Sequence, residues 1–116
     1  MTLLEMNIEY VNSDERLESL DKEYSLIVFN VRWSAQALSN AQLILSRVDE
    51  FKPKGLKIFV VDADSVTAEK VQSLLGNINH GYGESVLIRN GSSVLTYSGK
   101  NNINEFLSEL TSYFNS

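Results

Sequence analysis

Residues 25–45 read SLIVFNVRWSAQALSNAQLIL. The apolar run Leu26, Ile27, Val28 and Phe29 stops at Asn30. An unbroken run of this kind predicts a strand covered on both faces, hence central and beside a parallel neighbour. Trp33 and Ser34 follow. From Ser34 onward Leu38, Ala41, Ile44 or Leu45, and Val48 recur with the period of a helix. The stretch therefore reads as a buried strand turning into a helix. In open α/β sheets, ligands and partners meet the protein at the carboxyl end of such a strand. That places a candidate site near Trp33 and Ser34.

Upstream, residues 6–11 (MNIEYV) alternate apolar and polar, which predicts a short strand. Asn12-Ser13-Asp14 is a helix start, although Arg16 stands where a full capping box would have Glu. Leu17 and Leu20 share one face of that short helix. Downstream, Lys52-Pro53-Lys54-Gly55 stops the second helix, because proline cannot continue it and glycine suits a left-handed turn. Residues 56–62 (LKIFVVD) form a second core strand. Asp64-Ser65 is expected to cap a helix reaching about residue 75, with Val66, Val71, Leu74 and Leu75 inward. Residues 85–88 and 94–97 flank Asn90-Gly91-Ser92, a hairpin signal because Asn and Gly both tolerate positive φ. A last helix over residues 102–114 sets Ile103, Phe106, Leu107, Leu110 and Phe114 on one stripe. The order is β-α-β-α-β-α-β-β-α in one domain spanning residues 1–116.

Composition narrows the chemistry. The chain has no cysteine, so disulfides, thiolate nucleophiles and thiolate metal sites are excluded. A single histidine, His80, argues against an imidazole-built zinc site, and no Asp/Glu cluster has EF-hand spacing. No metal and no cofactor are expected. Residues 1–24 hold seven acids against Arg16 and Lys22, a balance of −5 that equals the charge of the whole chain. Such a cluster reads first as a solvated face and second as a docking surface for a basic partner. Nucleic-acid binding needs clustered Lys and Arg, which are missing. No apolar run is long enough to span a bilayer. The opening MTLLEMNIEY lacks the basic region of a secretory signal, so cytoplasm is the expected compartment.

Strand, Phe29-x-x-x-Trp33, helix, strand, Asp62 or Asp64, helix, strand, the Asn90-Gly91 hairpin, Gly99 and helix form a series that resembles thioredoxin over essentially the whole chain. The resemblance implies a central mixed sheet of about five strands flanked by four helices. It also locates what has been lost. The places of the family's Cys-Gly-Pro-Cys read Ser34-Ala35-Gln36-Ala37. Serine has too high a pKa to open a sulfur exchange, and Ala37 cannot resolve one. The family's buried proton-relaying aspartate falls on Val28, a nearby lysine on Val60, and the cis-proline on Gly83, eight residues before Gly91. An isolated buried charge is costly, so a valine pair fits a core with no proton to move. The redox apparatus reads as dismantled as a set.

The resemblance implies a partner-binding groove at Trp33, Ser34, Tyr82, Gly83, Glu84 and Gly99, with recognition by backbone pairing to an extended segment. The expected function is a redox-inactive, non-catalytic protein-binding module: an adaptor, an assembly subunit or a maturation chaperone with a protein or peptide partner. The alternative is an enzyme of another class using Ser34, His80 and Glu84. Arg32 is expected to be solvated, to pair with Glu84 or to meet an acidic partner. Self-association through the acidic region or the hairpin edge is a third expectation.

Overall fold

A computed structural model describes residues 7–76, 81–99 and 101–115. The elements are β1 (Ile8–Val11), α1 (Asp14–Glu18), β2 (Tyr24–Asn30), α2 (Ala35–Phe51), β3 (Lys57–Asp62), α3 (Ala68–Leu75), β4 (Ser85–Arg89), β5 (Ser92–Tyr97) and α4 (Ile103–Phe114). The sheet runs β1-β3-β2-β4-β5. Strands β1, β3 and β2 are mutually parallel, and β2–β4 and β4–β5 are antiparallel. This is the α/β, five-stranded mixed sheet with four helices that the sequence order predicts.

The apolar run of β2 is central because its two faces feed two cores. Leu26 and Val28 join Ala41, Ile44, Leu45 and Val48 of α2 and Phe106, Leu107 and Leu110 of α4. Ile27 and Phe29 join Leu17, Val71 and Leu75 on the other side. Each fully buried Leu or Ile contributes about 2 kcal/mol relative to exposure. Val28 lies in register with Val60, so the positions where the resemblance puts an aspartate and a lysine are cross-strand neighbours. Both are buried and apolar.

Two helix readings are corrected. Leu38, expected on the inward stripe of α2, is 44% exposed, and the polar Asn40 takes an inward place instead. The third helix does not start at Asp64-Ser65. Asp62 caps a short 3-10 turn over Ala63–Ser65. The chain then extends through Val66, and Thr67 caps α3, accepting the Lys70 N–H.

Four acids of the cluster are tied within the molecule. Glu9 takes a two-pronged contact from Arg16, at 2.6 Å for the Nη2 prong. Asp21 pairs with Lys57 and Glu18 with Lys70. Asp14 accepts the Thr67 N–H at 2.8 Å, tying α1 to the start of α3. Among the described residues, no helix is long and apolar enough to cross a membrane.

Candidate functional site

The parallel strands β2 and β3 end side by side at Asn30 and Asp62. Beyond Asn30 the chain buries Val31, turns through Arg32 and Trp33, and enters α2. Ser34 is the N-cap of α2: its Oγ accepts the Ala37 N–H at 3.1 Å. The same hydroxyl donates to the Gly81 carbonyl at 2.7 Å. One small side chain thus closes a helix end and ties it to the segment leading into β4.

Trp33 is 77% exposed. A Cβ built on Gly81 would lie 3.6 Å from Trp33 Cη2, so the rim of the indole rests on the Gly81 backbone while most of the ring faces solvent. Tyr82 is 42% exposed. Arg32 does not pair with Glu84: its Nη2 lies 3.5 Å from Asp62 Oδ2, in an exposed contact of small energetic worth.

Beneath these rings lies a polar layer that inspection of the sequence missed. Asn40, 3% exposed, donates through Nδ2 to the Tyr82 carbonyl at 2.7 Å and to Tyr97 Oη at 3.2 Å. Gln36 Nε2 donates to Asn40 Oδ1 at 3.2 Å. Glu84 is fully buried, and its Oε1 accepts the Tyr82 N–H at 2.9 Å. Burial, with the Glu84 and Tyr82 charges adding, raises the Tyr97 phenol above its ordinary pKa. A polar side chain at an inward helical place such as Asn40 signals such a layer, because buried polar groups persist only when bonded.

Two expected groove residues therefore do not line an open surface. Glu84 points inward. Gly83 is buried under α2, where a Cβ would meet the Ala37 carbonyl at 3.0 Å and Asn40 Cβ at 3.2 Å. Its φ of 82° is one that proline cannot adopt, so the backbone here departs from a proline-bearing segment. Gly99, beside this layer, is more than a turn residue: its Cβ would strike Tyr82 Cδ2 at 2.8 Å and Glu84 Oε2 at 2.9 Å. Backbone pairing to an extended segment is not open at Tyr82, since its N–H and C=O both hold internal partners.

The structure gives the enzyme alternative no support. The Ser34 proton is committed to Gly81, and Glu84 is sealed. His80 lies outside the described residues. Among the described residues, no group of three His, Cys, Asp or Glu side chains is placed to hold a metal ion.

The fold is thioredoxin-like, and the chain, with no cysteine, has no Cys-x-x-Cys motif. Solved structures similar to it include a thioredoxin from Trypanosoma brucei brucei, with 15% identity and a TM-score of 0.67 over 94% of this chain and 92% of that one. A poplar thioredoxin h shares 20% identity, with a TM-score of 0.66 over 96% and 99% of the two chains. Thioredoxin O1 from Arabidopsis thaliana, in its oxidized state, shares 15%, with a TM-score of 0.66 over 93% and 97%. No protein-family model matches the chain, and no curated protein matches it.

Proposed function

We propose that this chain is a non-catalytic protein-binding module on a thioredoxin scaffold, acting in the cytoplasm as an adaptor, assembly subunit or maturation chaperone. The observation that carries the reading is the exposure of Trp33 at the carboxyl end of the central strand. A tryptophan left mostly in water is a ready anchor, since large aromatics dominate the energetics of protein interfaces. The turn that carries it is tied to Gly81 by the Ser34 hydroxyl. With no cysteine, the chain has no thiolate with which to exchange disulfides. Partners are polypeptides. Nucleic acid, membrane, metal and cofactor have no part in this reading.

Quantitative capture from an extract of the native host tests the proposal. Partners held by the wild type should be lost from Trp33→Ala and Tyr82→Asp. A full partner set on both variants overturns it.

A further inference from the structure

Gly91 is the one glycine in the chain that follows an asparagine. The backbone nitrogen of the residue after an asparagine can attack the side-chain carbonyl carbon, Cγ. Glycine leaves that nitrogen uncrowded, because it has no Cβ. At Gly91 even an added Cβ would meet nothing within 4 Å, so there is room for a ring to close. Asn90 and Gly91 are both exposed, and they are the two residues between β4 and β5.

A strap from the segment before β2 restrains this nitrogen. The Gly91 N–H donates to the Lys22 carbonyl at 2.9 Å, and the Asn90 N–H to the Glu23 carbonyl at 2.7 Å. A nitrogen whose hydrogen is committed in this way is held back from attack, and the two bonds keep the backbone from swinging it toward Cγ. The strap is itself pinned at Asp21. Its Oδ1 accepts the Glu23 N–H at 2.9 Å, its Oδ2 pairs with Lys57 at the start of β3, and its carbonyl accepts the buried Ser25 hydroxyl. The Asp21–Lys57 pair is exposed, and links of that kind open well before a core does.

We propose that Asn90 is a site of spontaneous deamidation and that the strap over residues 21–23 sets its rate. When the strap lifts, the Gly91 nitrogen bonds to Asn90 Cγ. Its proton passes through water to the side-chain amide nitrogen, which leaves as ammonia. Water then opens the succinimide at either of its two carbonyls. One opening gives aspartate and the other isoaspartate, and each adds a negative charge. The isoaspartyl link runs the main chain through an extra methylene carbon. It lengthens the turn that sets Arg89 opposite Ser92 and draws the Gly91 N–H off the Lys22 carbonyl. The hairpin thus keeps a record of how often the strap has opened.

The test is ageing of the purified protein at neutral pH and physiological temperature. Peptide mass spectrometry counts conversion at Asn90, and an isoaspartyl methyltransferase with a labelled methyl donor counts isoaspartate. Wild type unfolded in urea should convert at Asn90 at least about tenfold faster than folded wild type. Folded Asp21→Ala, which loosens the strap, should convert at least about threefold faster than folded wild type, with the Gly91 amide exchanging hydrogen faster in parallel. Ser34→Ala weakens the fold beyond the opposite end of β2 and should keep the wild-type rate. If Asp21→Ala does not fold, Lys57→Met removes the ion pair alone and should move the rate in the same direction. Equal rates in folded and unfolded wild type overturn the proposal, as does an unfolded chain that spares Asn90. So does a folded strap variant that converts at the wild-type rate, or a Ser34→Ala protein that speeds up as much as the strap variant.

Discussion

Ser34 and Gly81 stand 47 positions apart in the chain and are joined by a 2.7 Å hydrogen bond from hydroxyl to carbonyl. The same oxygen caps α2. Ser34→Ala removes both bonds and should lower stability by about 2 kcal/mol, at the upper end for a lost cap. Ser34→Asp can still cap but cannot donate, so it should recover only part of the loss. Urea denaturation of the three proteins checks the order.

Gly83 and Gly91 separate conformational from steric need. Both have positive φ, 82° and 80°. Around Gly91 a Cβ meets nothing within 4 Å, whereas at Gly83 it meets the Ala37 backbone carbonyl at 3.0 Å. Gly91→Ala should cost about 1 kcal/mol from the left-handed conformation alone. Gly83→Ala should cost roughly 1–3 kcal/mol more, because backbone cannot step aside as a flexible side chain would. Thermal denaturation of the two variants measures the difference.

Cysteines placed at the two positions that the resemblance assigns to them should confer little disulfide-reducing activity. The wild type should leave insulin disulfides intact. The Ser34→Cys, Ala37→Cys variant should reduce them only weakly, since Val28 and Val60 supply no proton relay beneath the site. Gly83 also keeps its left-handed backbone over α2. Full activity in the double variant contradicts this assignment.

The acidic face sets the low-pH behaviour. Hydrogen bonding from Arg16 holds the Glu9 carboxyl below its ordinary pKa, against the opposing pull of burial. Bonds from Lys57 and then the Glu23 N–H do the same for Asp21. A depressed carboxyl stabilises the fold above its unfolded value, and that contribution is lost as pH falls through the lower folded value. Stability should therefore fall with acid below the usual carboxylate range. Glu9→Gln and Asp21→Asn should flatten that limb, as read from urea midpoints across pH. Added salt should shrink the effect, because both pairs are exposed.

Much of the fold was legible because hydrophobic pattern controls it. The run Leu26 to Phe29 could serve only as a two-faced strand, and Asn90-Gly91 only as a tight turn between β4 and β5. The misplaced start of the third helix came from local capping. Asp62 spends its side chain on a 3-10 turn, which leaves Thr67 to start α3. The site was less legible. Its position followed from the end of β2, but Glu84 reads as a surface acid in sequence, and nothing nearby shows that Tyr82 offers it an N–H. Asn40 carried a signal, a polar residue at an inward helical place, but its partners Tyr82 and Tyr97 lie 42 and 57 residues away. Contacts that distant leave no periodicity to read.

Trp33 is the chain's single tryptophan, so its emission reports on the proposed contact and on nothing else in this protein. The measurement is a fluorescence titration with the tightest partner recovered by capture, provided that partner lacks tryptophan, alongside the affinity of Trp33→Ala. Burial of the indole should shift emission to the blue, and the variant should bind at least about tenfold more weakly, a loss of about 1.4 kcal/mol. Emission that stays at its water-exposed position while the partner binds with undiminished affinity to Trp33→Ala would contradict the account.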